Sequence, residues 1–213
     1  MKTSFDIPPR NYDAWFSTPQ GRKILDQEKA LMDRVLWSTT GTLLDIGCGT
    51  GIFTLFFQER GFPTVGMDLS MEMLLYLKGK TSTLPLVRGD AHLLPFPGDT
   101  FSYATIITVL EFLEHPFYAL VEAIRVAEKS ILVGFLPPWS PTNLKRRLKG
   151  LVGKSSFSGA RFLPSSRLAS MIKEACRMKG RKVKEIKVEG CLSPKVMPLL
   201  PLASFAVMRV DYE

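Results

Sequence analysis

The chain has 213 residues, 46% of them apolar, with mean hydropathy close to zero, enough for one well-filled domain burying about 70% of its unfolded surface. No apolar run reaches the roughly 18 residues of a membrane span, and "MKTSFDIPPRNYDAW" has no apolar core of signal-peptide length, so the expectation is a soluble, cytoplasmic protein. The formal net charge is +8, but residues 140–187 hold 14 of the 28 Lys and Arg and only 2 of the 20 acidic residues, a local +12 that leaves the remainder near −4.

In chain order, Ile24, Leu25, Leu31, Met32, Val35 and Leu36 recur at helical spacing and predict an amphipathic helix over 20–36. "TLLDIG" reads as a short apolar strand. Gly47, Gly49 and Gly51 then form a turn that opens a helix with Ile52, Leu55, Phe56 and Phe57 inward, stopping at Gly61. "PTVGMDLS" is a second strand ending at Asp68. A helix over 71–78 follows, with Met73, Leu74 and Leu77 inward, and "LPLVRGD" is a third strand ending at Asp90.

"TFSYATIITVL" is nearly continuous in apolar and β-branched residues, as a strand buried on both faces of a parallel sheet should be. A helix over 116–127 buries Phe117, Leu120, Ala123, Ile124 and Ala127, and "SILVGFL" is the fifth strand. The Pro/Gly/Ser-rich, basic stretch 137–165 reads as an insertion or lid with a short helix of its own. A helix over 166–178, with Leu168, Met171, Ile172 and Ala175 inward, leads to two closing strands, "KVKEIKVEG" and "ASFAVMRVDY". Alternating strands and helices give an α/β, doubly wound, mostly parallel sheet, expected as a single domain over 1–213 with an N-terminal cap over about 1–40.

In such sheets ligands bind beyond the carboxyl ends of the strands, where Asp68, Asp90 and the glycine turn all fall. The turn is spaced GxGxG, with Ile52 where a dinucleotide-binding fingerprint would place its third glycine. Asp45 stands just before it. That carboxylate would repel a pyrophosphate and attract an ammonium or sulfonium. Asp68 follows Gly49 by 19 residues, the place from which a carboxylate accepts from ribose hydroxyls, and Asp90 could accept from an adenine amine. S-adenosylmethionine meets this description better than a nicotinamide dinucleotide.

"LLDIGCGTG", "GMDLS", "GDAHLLPFPGDTFS" and "VLEFLEHP…EAIRV" together resemble the class I S-adenosylmethionine-dependent methyltransferases, in particular the small-molecule branch similar to ubiquinone/menaquinone biosynthesis enzymes. The resemblance covers about 20–135. It implies a Rossmann-like, seven-stranded sheet whose last strand is antiparallel, and S-adenosyl-L-methionine as cofactor. By the same resemblance Asp45, Gly47, Gly49 and Gly51 would serve the methionine moiety, Asp68 the ribose, and Leu69, Asp90 and Ala91 the adenine. Thr108 would lie under the sulfonium, with Tyr12 and Trp15 closing over the cofactor.

His92, His115 and Glu111 are the candidates for a base, with structural hydrogen bonding as the plainer role for both histidines. No metal site is expected. Cys48, Cys176 and Cys191 lie far apart without a CxxC or His companion, so packing is their expected role. "LPPW" over 136–139 resembles a nucleic-acid methyltransferase motif, but it follows the fifth strand instead of the fourth and begins with Leu. The acceptor is expected to be a small molecule, partly apolar and anionic. An RNA acceptor and a non-catalytic cofactor-binding module are the alternatives, and the segment 140–187 is either a solvated face or a surface for an anionic partner, membrane or RNA.

Overall fold

The computed structural model describes residues 8–39, 41–151, 159–191 and 203–213. Phe157, the side chains of Lys149 and Cys191, and part of the expected insertion therefore lie outside the described residues. Two helices precede the first strand: α1 (Pro9–Ser17) and α2 (Pro19–Val35). Each begins with a proline in its first turn, where the missing N–H costs nothing. Between them Thr18 caps α2 by accepting from the Gly21 N–H at 3.0 Å. The sequence pattern indicated α2 but not α1, whose nine residues carry no clean apolar stripe.

The chain continues through β1 (Leu43–Ile46), α3 (Ile52–Glu59), β2 (Thr64–Asp68), α4 (Met71–Lys80), β3 (Leu86–Arg88) and β4 (Phe101–Ile107). A single 3₁₀ turn (Leu110–Phe112) leads to α5 (Pro116–Val126), β5 (Ala127–Phe135), α6 (Pro141–Leu151), α7 (Ser165–Met178), β6 (Val183–Cys191) and β7 (Phe205–Tyr212). All seven strands join one sheet in the order β3-β2-β1-β4-β5-β7-β6. The pairs from β3 across to β5 are parallel, and β7 runs antiparallel to both β5 and β6.

The two-residue period of a strand sorts the core into two layers. Leu43, Tyr103, Leu132 and Val207 pack with Leu31, Met32 and Val35 of α2 and with Phe56 and Phe57 of α3. Leu44, Ile46, Ala104, Ile106, Ile131 and Val133 pack on the other face with Leu120 and Ile124 of α5 and Leu168 and Ile172 of α7. The order reverses at β1, which pairs with β2 on one side and β4 on the other, and the crevice this opens lies at the glycine turn.

Two boundaries differ from the sequence pattern. β4 stops at Ile107, because Thr108 turns into the left-handed region with φ +53° before the 3₁₀ turn. β5 begins at Ala127, straight out of α5. Among the described residues, no helix is long and apolar enough to cross a membrane.

Candidate functional site

All three glycines of the turn have positive φ: +73° at Gly47, +52° at Gly49 and +83° at Gly51. Their spatial reasons differ. A Cβ on Gly47 would lie 2.4 Å from Val109 Cγ2, and one on Gly51 would lie 2.2 Å from Leu77 Cδ1. Nothing stands within 4 Å of the Cβ position at Gly49. Gly47 and Gly51 thus seat the turn against its neighbours, whereas Gly49 leaves room in the cavity wall for a ligand to approach the backbone.

The turn is held by β2. The Gly47 and Cys48 N–H groups donate to the Met67 carbonyl at 2.7 and 2.9 Å. The Gly49 N–H donates to Asp68 Oδ2 at 2.8 Å, and the Ser70 N–H donates to Asp68 Oδ1 at 2.8 Å. The cap of α4 is Ser70, which accepts from Met73 N–H. Asp68 is therefore a brace for the glycine turn, and each of its oxygens keeps a lone pair for a ligand. Burial raises its carboxyl above the usual range against the pull of these N–H groups.

Asp45, 2% exposed, accepts from the Thr54 hydroxyl at 2.6 Å and the Thr105 hydroxyl at 2.8 Å. Burial pushes its carboxyl up to about 6, opposed by those hydroxyls and reinforced by Asp68. Asp90 Oδ1 accepts from the His92 N–H at 2.9 Å and faces His92 Nδ1 at 2.7 Å. Burial works against its charge, but the His92 contacts outweigh it and hold the carboxyl below the usual range. Its second oxygen is left for a donor.

These groups line a cavity of about 710 Å³, within the range of roughly 300 to 1,000 Å³ of small-molecule sites. Tyr12, Asp45, Gly47, Gly49, Asp68, Leu69, Asp90, Ala91, His92, Thr108 and His115 all face it, joined by Phe53, Phe112, Leu113 and Tyr118. Its lining combines carboxylates with aromatic and aliphatic side chains. Thr108 forms part of the wall in a conformation rare for a β-branched residue, strain of the kind that gathers at functional sites.

Three expected site residues lie elsewhere. Trp15 is 41% exposed, packs edge-on against Phe16 and does not line the cavity. Gly51 sits behind the turn, over Leu77. Glu111, read as a candidate base, is 1% exposed and turned from the cavity into the protein, where Oε1 accepts from the Leu136 N–H at 2.7 Å. Its backbone carbonyl accepts from the Arg161 N–H at 2.7 Å, so Glu111 fastens the cavity wall to the chain at Leu136 and at Arg161.

Burial pushes the Glu111 carboxyl from 4.5 up to about 7. The folded state binds this proton more tightly than the unfolded one, so the stability it contributes is complete below pH 4.5 and lost as pH rises through about 7. That shift corresponds to about 3 kcal/mol. Glu111→Gln keeps the acceptor for Leu136 N–H and removes the charge. In denaturant titrations it should match the wild type at about pH 5 and exceed its stability at about pH 8.5. Parallel curves at the two pH values would contradict this role.

One contact had no signal in the sequence. Lys80, at the end of α4, donates to the Thr50 carbonyl in the glycine turn at 2.7 Å and pairs with Asp13 of α1. It ties the helix carrying Tyr12 to the turn that lines the cavity floor. Cys48 packs against Leu74, Leu77 and Leu84, and Cys176 lies in the main core. Among the described residues, no three His, Cys, Asp or Glu side chains cluster closely enough to hold a metal ion.

Comparison with known proteins bears on this arrangement. Residues 44–132 match the family model described as a methyltransferase domain. An uncharacterised protein of Methanocaldococcus jannaschii is 30% identical over 173 residues, covering 80% of this chain and 78% of that protein. A demethylmenaquinone methyltransferase of Bacillus licheniformis is 36% identical over 106 residues, 46% of this chain and 44% of that enzyme. The chain spans about half the length of other curated relatives it matches, among them uncharacterised mycobacterial proteins covered to 56%. For the fold, a Thermotoga maritima crystal structure described as a SAM-dependent methyltransferase, possible histamine N-methyltransferase, superposes with a TM-score of 0.79 at 23% identity. It covers 98% of this chain and 99% of that one.

Proposed function

The chain belongs to the class I S-adenosylmethionine-dependent methyltransferases, and on that footing we propose that it transfers the sulfonium methyl to a partly apolar small molecule carrying an anionic group. The observation that carries this reading is a single cavity lined by both kinds of group: Asp45, Asp68 and Asp90 with the glycine turn, and Phe53, Phe112, Leu113 and Tyr118.

The residues fit the cofactor. Gly49 leaves an open cradle in the wall, and the buried carboxylate of Asp45 favours a cationic methionine group over a pyrophosphate. Asp68, already set by two backbone N–H groups, would accept from the ribose hydroxyls, and the second oxygen of Asp90 from the adenine amine, beside Leu69 and Ala91. When bound, the cofactor supplies an activated methyl group. The chain's part is to hold the acceptor in line with that methyl and to exclude water, an effect that can supply about 7 to 11 kcal/mol.

Thr108 and, from α1, Tyr12 both line this cavity. His115 and Tyr118, with ring centroids 6.1 Å apart, line the cavity together, His115 lying 6.5 Å from His92. If the acceptor must lose a proton, His115 is the best placed group there; His92 is engaged with Asp90. The anionic part of the reading rests on the basic segment 140–187, whose α6 portion carries Lys145, Arg146 and Arg147.

The test is transfer of radiolabelled methyl from S-adenosylmethionine into a panel of aromatic and aliphatic carboxylates, their neutral amides, and total RNA. Turnover confined to the carboxylates, at least about tenfold over the amides, is the expected result. Label found only in RNA would move the assignment to a nucleic-acid acceptor.

A further inference from the structure

Helix α6 is turned against the usual rule for a surface helix. Its inward side is polar: Asn143 and Ser140 are 0% and 1% exposed. The Asn143 side chain donates to the Pro137 and Ser204 carbonyls at 2.8 and 2.9 Å, and its Oδ1 accepts from Arg146 at 2.8 Å. These bonds hold the helix, and among its described side chains no apolar one is buried. Leu144 and Leu148, one turn apart, are consequently left 47% and 56% exposed, and Trp139 just ahead of the helix is 62% exposed. Lys145 and Arg147 are exposed beside them.

Along the chain the charge here has one sign, although Glu28 of α2 acts on Arg146 in space. No Asp or Glu occurs between Glu128 and Glu174. The basic residues further on are partly balanced, since Arg177 pairs with Glu174, Arg181 with Asp99, Lys184 with Glu213 and Lys187 with Glu185. The +12 segment is thus divided. Its α7–β6 portion is laced with carboxylates, and its α6 portion combines cations with outward apolar side chains.

An exposed leucine pair and a tryptophan flanked by cations are the elements of a helix that lies in a lipid interface, the apolar groups entering the acyl boundary while Lys and Arg meet the headgroups. A phosphate backbone would use the cations but not the leucines. We propose that α6, with Trp139, docks the protein on an anionic phospholipid bilayer. The proposal concerns this surface alone and does not depend on the methyl-transfer reading.

The test is co-sedimentation with phosphatidylcholine vesicles, with and without phosphatidylglycerol, using wild type, Leu144→Gln/Leu148→Gln and Lys145→Glu/Arg147→Glu. Wild type should sediment with the anionic vesicles only, and each double variant should lose at least about tenfold in partitioning. All substituted side chains are exposed, and matching circular dichroism and melting curves establish intact folding. As an independent readout, the difference in emission between wild type and Trp139→Phe should shift to the blue on adding anionic vesicles. No sedimentation with anionic vesicles, or equal sedimentation of the leucine variant, would overturn the proposal. So would self-association of the wild type that the leucine variant abolishes, which would assign the face to a second copy of the chain. RNA binding lost in the charge variant but not in the leucine variant, without vesicle binding, would overturn it in favour of a nucleic-acid surface.

Discussion

Asp68→Ala is expected to weaken S-adenosylmethionine binding by at least about 100-fold, with the loss read by calorimetric titration. Two effects add. In the proposed site the carboxylate accepts from the ribose hydroxyls, and charge-assisted bonds of that kind contribute about 1.5 to 3 kcal/mol each. The same carboxylate accepts from the Gly49 and Ser70 N–H groups, so its removal also releases the turn that the cofactor must meet. Asp68→Asn separates the effects. An amide keeps one acceptor and the side-chain shape but loses the charge, and it should fall between wild type and the alanine variant. Equal affinity for all three proteins would show that neither a ribose contact nor the bracing of the turn by Asp68 contributes to binding.

Alanine at Gly47 and at Gly49 should fail in opposite ways. Both positions have positive φ, which costs an L-residue about 1 to 2 kcal/mol. At Gly47 the new Cβ also meets Val109 at 2.4 Å, where the wall of the cavity must move. Overpacking of this kind adds about 1 to 3 kcal/mol, giving a melting temperature lower by roughly 5 to 15 °C. At Gly49 there is no such neighbour, so the fold should lose only the backbone part, a few degrees. The methyl group there projects into the space assigned to the ligand, and cofactor affinity should drop at least about tenfold. Val109→Ala should restore part of the stability of Gly47→Ala and do nothing for Gly49→Ala. Equal melting temperatures for the two glycine variants would contradict the different packing assigned to them.

The floor of the site was legible because its signals are local. Leu43–Ile46 and Thr64–Asp68 are short apolar runs punctuated by glycine and aspartate, and parallel pairing brings their carboxyl ends together without further information. The seven strands and the antiparallel β7 agree with what the resemblance implied. Side-chain direction in irregular segments was not legible. Glu111 lies in "LEFLEH", where no helical or strand period applies, and the 3₁₀ turn Leu110–Phe112 sends it inward and away from the cavity. Trp15 could not be separated from Tyr12 by pattern, because both belong to α1, which is held by contacts outside its own sequence, among them the pair of its Asp13 with Lys80 and the close packing of Gly21 on Trp15 and Phe16. In α6 the leucines at 144 and 148 have the spacing of an inward stripe, but the hydrogen bonds of Asn143 turn the helix the other way.

The glycine turn and its three carboxylates are proposed to hold S-adenosylmethionine. The deciding measurement is calorimetric titration of the wild-type protein with S-adenosylmethionine, S-adenosylhomocysteine and NAD. Micromolar binding of the first two and no measurable binding of the third are expected, because Asp45 lies buried behind the turn where a pyrophosphate would sit. Binding of NAD, or binding of none of the three, would contradict this assignment.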